Sequence, residues 1–112
     1  MNPLVEYGID QLERTLGRSH TGDLYRLRWV FPNGFEVNVD RRAKKSPVLH
    51  VWVPWPAPRD LPPFGVYLGT GGPRISNLSP GCRYGRAVAR LSARSQADVD
   101  EMVRLLHARA NP

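Results

Sequence analysis

Two runs of alternating apolar residues flank the turn-forming segment 32–34, and their spacing strongly restricts how the chain can pair. The alternating positions are Tyr25, Leu27, Trp29 and Phe31 before the turn and Phe35, Val37 and Val39 after it. A two-residue loop at Asn33-Gly34 would send the two apolar faces to opposite sides of a sheet. A three-residue loop instead pairs Phe31 with Phe35, and it fits a type I turn followed by a left-handed glycine. We therefore expect an antiparallel hairpin with a three-residue loop.

Apolar residues at helical spacing occupy both ends of the chain. The N-terminal stripe begins after Pro3, stops before Gly17 and consists of Val5, Ile9, Leu12 and Leu16. The C-terminal stripe follows Ser95, which precedes Asp98 by three residues as in a capping box. Its members are Val99, Met102, Val103 and Leu106. These patterns predict one helix at each end, although Gly8 inside the first lowers its intrinsic helix propensity.

Further strands are expected at 48–53, 64–68 and 86–91, with a short extended piece at 74–78. The first of these is almost continuously apolar, which indicates a central strand. Prolines crowd the segment 54–63 and favour an extended loop there, because proline has no N–H for a sheet ladder. The predicted fold class is α+β: a mixed, mostly antiparallel sheet of four to five strands with an N-terminal and a C-terminal helix. Residues 1–112 are expected to form a single basic domain, either complete or taken from a larger protein.

The sequence has no pattern typical of a membrane protein or of a disulfide-bonded secreted protein. No apolar run reaches the length of a membrane-spanning helix, and the N-terminus lacks the pattern of a signal peptide. With Cys82 as the lone cysteine, no internal disulfide can form. An intracellular, cytoplasmic location is therefore expected.

Positive charge is concentrated in the middle of the sequence. The chain carries a net charge of +6, whereas residues 26–94 hold twelve basic and three acidic residues, a net +9. A segregated charge of this kind attracts polyanions, although a solubilising surface is an alternative explanation. The segment 41–45 alone contributes four cations between two predicted strands.

Basic and aromatic side chains in loops indicate how nucleic acid would be bound. Arginine and lysine would hold phosphates, and loop aromatics would contact bases. The candidate binding residues are Arg41, Arg42, Lys44, Lys45, Trp55, Arg83, Tyr84 and Arg86. Trp55 is included because prolines on both sides keep it in a loop, where an exposed ring could stack on a base. Packing in the core is the alternative for each of these aromatic side chains.

Catalytic and metal-binding patterns are not found. His20, His50, His107 and Cys82 lie far apart in sequence and do not show the spacing of a zinc site. The hairpin register places Arg26 opposite Asp40, and Arg26 and Arg28 lie beside the carboxylates of Glu36 and Asp40. This arrangement favours a cross-strand charge ladder over a catalytic carboxylate pair. Neither a cofactor nor a metal is expected.

The resulting prediction is a non-catalytic nucleic-acid-binding module, with DNA favoured over RNA. Such a module would suit the targeting domain of a restriction or repair enzyme. One alternative is a protein–protein interaction domain that uses the proline-rich loop and Trp55. The other is a small enzyme that uses Cys82 or the Glu36 and Asp40 carboxylates.

Overall fold

A computed structural model describes residues 3–19, 21–22, 26–40, 48–70 and 86–111. Within these ranges the helices are α1 (Pro3–Leu16) and α2 (Gln96–Ala110). The strands are β1 (Thr21–Gly22), β2 (Arg26–Val30), β3 (Glu36–Asp40), β4 (Leu49–Pro54), β5 (Gly65–Gly69) and β6 (Val88–Ala93). They form one sheet in the order β1-β2-β3-β4-β6-β5, and every pairing among them is antiparallel. The predicted α+β class with two terminal helices is confirmed.

The predicted end of α1 and the predicted start of α2 are confirmed by their capping contacts. The left-handed Gly17 (φ 87°) ends α1 and donates its N–H to the carbonyl of Glu13 at 3.0 Å. At the start of α2, the hydroxyl of Ser95 accepts the N–H of Asp98 at 3.1 Å. The Asp98 carboxylate in turn accepts the N–H of Arg94 at 3.0 Å. Neither helix of the described ranges is long and apolar enough to cross a membrane.

The two helices pack on one face of the sheet, and the main core lies between these layers. Val5 and Leu12 from α1 and Met102 and Leu106 from α2 are completely buried in it. The sheet contributes Leu27, Trp29, Val37, Val39, Leu49, Val51, Val53, Ala89, Leu91 and Ala93. The alternation of these residues along each strand explains why one face of the sheet is apolar.

The hairpin between β2 and β3 has the predicted three-residue loop and register. Trp29 pairs with Val37, and the N–H of Phe31 bonds to the carbonyl of Phe35 at 2.9 Å. Gly34 takes the left-handed conformation (φ 89°) that this loop requires. The same register places Arg26 opposite Asp40, as predicted.

Strand β4 lies in the middle of the sheet between β3 and β6, also as predicted. Strand β6 begins at Val88, two residues later than expected, and extends through Ser92 and Ala93. These two small residues have a weak intrinsic strand signal, but they pair with His50 and Leu49. The edge strand β1 was not predicted, because two residues that include a glycine carry no periodic signal. The expected piece at 74–78 lies outside the described residues.

Candidate nucleic-acid interface

An open groove of about 660 Å³ lies at one end of the sheet. Four parts of the fold meet there: the β2–β3 turn, the end of β4, the residues just before β6, and the last turn of α2. The lining residues are Asn33, Gly34, Phe35, Pro54, Trp55, Pro56, Arg86, Ala87, Ala108 and Arg109. Two of the predicted binding residues, Trp55 and Arg86, are therefore brought together although they are 31 positions apart.

Trp55 is buried, and the prediction that its ring lies exposed for base stacking is wrong. Its side chain is 1% exposed and belongs to the main core. The indole N–H donates to the carbonyl of Arg59 at 2.7 Å, and the backbone N–H donates to the carbonyl of Ala87 at 3.0 Å. The proline-rich loop thus satisfies the one polar atom of the indole and lets the ring serve as apolar core.

Arg109 covers the indole and was not predicted as a binding residue. Its guanidinium carbon lies 3.4 Å from the centroid of the Trp55 ring, in cation–π contact. The sequence assigns Arg109 only to the basic last turn of α2, because nothing local connects it with a tryptophan 54 positions earlier. The contact arises only when the end of α2 packs beside the end of β4.

The groove carries two guanidinium groups that are available to a ligand. Arg86 is exposed, and Arg109 is partly buried. Neither guanidinium forms a hydrogen bond or an ion pair with another residue in the described ranges. None of the described residues that line the groove is acidic. Arg83 and Tyr84 precede Arg86 closely in the chain but lie outside the described residues.

Asn33 reduces the negative potential that the end of α2 would otherwise bring to the groove. The last carbonyls of a helix carry partial negative charge and disfavour anions. The side-chain amide of Asn33 donates to the carbonyl of Arg109 at 2.9 Å. The backbone N–H of Asn111 donates to the carbonyl of His107 at 3.0 Å. Both bonds occupy carbonyls in the last turn of α2.

The four cations of segment 41–45 lie outside the described residues, but the strands on either side locate the ends of that segment. It follows Asp40, the last residue of β3, and precedes Leu49, the first residue of β4. These positions are at the opposite end of the sheet from the groove. The six residues of β4 correspond to about 20 Å of extended chain. The candidate residues are therefore attached to two separate ends of the molecule.

More arginines lie on the sheet face away from the helices. Arg28, Asn38, Trp52 and Arg90 follow one another across β2, β3, β4 and β6. His50 lies on the same face, and its Nδ1 is 2.9 Å from the hydroxyl of Ser92. Burial and the nearby guanidinium of Arg90 lower the pKa of His50, and Arg94 acts in the same direction, against Asp40. Burial and two of the three neighbouring charges therefore disfavour the charged form of His50.

The two carboxylates of the enzyme alternative, Glu36 and Asp40, belong to strand β3 and are buried or half-buried there. Asp40 accepts a hydrogen bond from Arg26 at 3.0 Å, and the side chain of Arg26 is 3% exposed. This pairing is the expected cross-strand ladder, and Glu36 is also buried. The described ranges contain no cluster of three or more His, Cys, Asp or Glu side chains that could hold a metal. Cys82 lies outside those ranges.

Comparisons with protein-family models, with curated proteins and with solved structures find no match for this chain.

Proposed function

We propose that this chain is a non-catalytic nucleic-acid-binding module, with DNA as the favoured target. The observation that carries the proposal is the pair of guanidinium groups, Arg86 and Arg109, that line one open groove without an ion-pair partner in the described ranges. Arginine suits this role because its planar fork of donors matches the oxygens of a phosphate. An intracellular location fits the lone Cys82.

The setting of the two arginines favours an anionic ligand over an apolar one. Arg109 is held against Trp55, so less side-chain entropy is lost when its N–H groups meet a phosphate. Arg86 is exposed beside it, and the lining residues that the structure describes include no carboxylate that could compete for either group. The net charge of +9 on residues 26–94 would raise the local concentration of a polyanion.

Base contacts would come from loops, since the sequence holds no helix-turn-helix, zinc-finger or RNP motif. Tyr84 remains a candidate for such contacts, and Arg41, Arg42, Lys44, Lys45 and Arg83 remain candidates for phosphates. A module of this kind would position an attached enzyme, as in restriction or repair systems.

The test compares two charge-matched double variants. Arg86→Gln with Arg109→Gln removes both groove cations, whereas Arg14→Gln with Arg104→Gln removes two exposed cations that pair with acids on their own helices. Each protein is titrated into labelled single- and double-stranded DNA and RNA at about 50 and 200 mM salt. The groove variant should weaken binding and lower the salt slope by about 0.7–0.9 for each phosphate that is no longer neutralised. The control should retain the wild-type slope.

Equal reductions in affinity for both variants would show that charge alone, and not the groove, determines binding. No binding of any nucleic acid at about 50 mM salt would refute the proposal. A protein partner would then be the next candidate, because Pro54 and Pro56 also line the groove. Binding of such a partner should depend little on salt.

A further inference from the structure

We infer that the groove takes a single unstacked base together with its phosphate, so that the module prefers single-stranded or locally opened nucleic acid to an intact duplex. This inference rests on the proposed nucleic-acid function and specifies the form of the target. The feature behind it is the arrangement of Trp55, Arg109 and Arg86 in one groove.

Arg109 offers a flat surface rather than a point charge. Its guanidinium carbon lies 3.4 Å from the centroid of the indole, which is the separation of stacked planes. A guanidinium stacked in this way has its second face free of the indole. Guanidinium planes, like aromatic rings, are surfaces on which unstacked bases lie in protein–nucleic-acid complexes. The buried Trp55 would then act through Arg109, because it fixes the plane against which the base stacks.

The size and walls of the groove suit one nucleotide. Its volume of about 660 Å³ falls within the roughly 300–1,000 Å³ that is typical of small-ligand sites. Phe35 and Pro54 add apolar surface on the side of the sheet, and Arg86 supplies a cation for the adjoining phosphate. A base in an intact duplex is stacked on both sides and cannot enter such a site unless it is extruded.

Two substitutions separate stacking from charge. Arg109→Lys keeps the positive charge but removes the planar group. Ala108→Phe changes no charge and fills the groove from an exposed position of α2, where the larger side chain should not disturb the fold. The control is Arg104→Lys, the same exchange at an exposed site of α2 outside the groove. Thermal unfolding of each variant verifies that it is folded.

Affinity is measured by fluorescence anisotropy on a labelled thymidine oligonucleotide and on a duplex of equal length. The wild type should bind the single strand more tightly. Arg109→Lys and Ala108→Phe should each weaken that binding about ten-fold and leave duplex binding unchanged. Arg109→Lys should also keep the salt slope, because it retains the charge. Arg104→Lys should behave as the wild type.

The failure of this inference is distinguishable from failure of the proposed function. Salt-dependent binding of both forms, with no effect of Ala108→Phe on the single strand, would overturn the base site and leave nucleic-acid binding standing. No binding of either form would overturn both.

Discussion

Arg26 and Asp40 illustrate how much a single ion pair depends on its burial. The two side chains are 3% and 16% exposed, and Arg26 also lies 5.8 Å from the ring centre of Trp52. Removing one partner of a buried pair leaves the other charge poorly compensated in a low-dielectric setting. Asp40→Asn should therefore lower the free energy of unfolding by about 3 kcal/mol, measured by urea denaturation at pH 7.

The matched control is the exposed pair of Asp10 and Arg14 on α1, whose side chains are 55% and 72% exposed. Water already solvates both of these charges, so Asp10→Asn should cost less than about 0.5 kcal/mol. Similar reductions in unfolding free energy for Asp10→Asn and Asp40→Asn would mean that burial does not determine the strength of these pairs.

His50 should titrate below its ordinary pKa of 6.5, because burial and the guanidinium of Arg90 disfavour its charged form. Arg94 lowers the pKa of His50 as well, whereas Asp40 raises it. An NMR titration of the imidazole measures this pKa directly. Arg90→Gln should move it upward, and a wild-type pKa at or above 6.5 would contradict the expectation.

The lowered pKa of His50 also makes its contribution to the free energy of unfolding depend on pH. Between the lowered folded pKa of His50 and the ordinary value, the unfolded chain binds more protons, so acidification favours unfolding. The contribution of His50 is fully present above pH 6.5 and is lost as the pH falls through the folded pKa. His50→Gln should reduce the fall in unfolding free energy between about pH 7 and pH 5. Both proteins contain the same carboxylates, so the difference between their pH dependences isolates the contribution of His50.

At the scale of elements, Gly8 determines how closely α1 approaches the sheet. A Cβ at this position would lie 2.3 Å from Cδ2 of Leu49, a completely buried residue of β4. Alanine improves helix propensity by up to about 1 kcal/mol, but overpacking a core costs about 1–3 kcal/mol. Gly8→Ala should therefore destabilise the fold by about 1 kcal/mol net, measured by thermal or urea unfolding.

A double-mutant cycle tests whether Leu49 is the cause. In a Leu49→Val background, which shortens the opposing side chain, Gly8→Ala should cost less than it does in the wild type. Thr15→Ala, at an exposed position of the same helix, should be neutral or slightly stabilising. A stabilising Gly8→Ala would refute the close approach of α1 to β4.

The elements predicted well from the sequence are those with local determinants. The β2–β3 register follows from apolar alternation and the left-handed Gly34, and both helices follow from their stripes and end residues. The shift of β6 and the presence of β1 depend on partner strands that are distant in sequence. The helix pattern indicates Gly8 only as a weakness, because Leu49 lies 41 positions away.

In the candidate site, too, the features with local determinants were predictable and those that depend on distant residues were not. The sequence identifies Arg86 from its basic surroundings, but it contains no sign that Arg109 covers Trp55. A tryptophan between prolines resembles an exposed loop residue by composition, and only the packing of four chain segments buries it. The basic character of the surface is therefore easier to predict from the sequence than the residues that form the groove.

At the scale of the whole molecule, the groove and the point where segment 41–45 leaves β3 lie at opposite ends of the sheet. The groove with Arg86 and Arg109 lies at one end, and the segment 41–45 leaves β3 at the other, about 20 Å of strand away. If nucleic acid binds as proposed, a short oligonucleotide can occupy the groove alone, whereas a longer one can also reach segment 41–45.

Oligonucleotide length should therefore decide which cations matter. With Arg41→Ala and Lys44→Ala combined, affinity for an oligonucleotide of about 4 nucleotides should be nearly unchanged, whereas affinity and salt slope for one of about 16 nucleotides should fall. With Arg86→Gln and Arg109→Gln combined, binding of both lengths should weaken, because both occupy the groove. Anisotropy titrations over a range of salt concentrations measure these effects. If the change at 41 and 44 weakens binding of the short and the long oligonucleotide equally, the expectation is wrong. The short oligonucleotide would then contact segment 41–45 as well as the groove, and the two would form one continuous site.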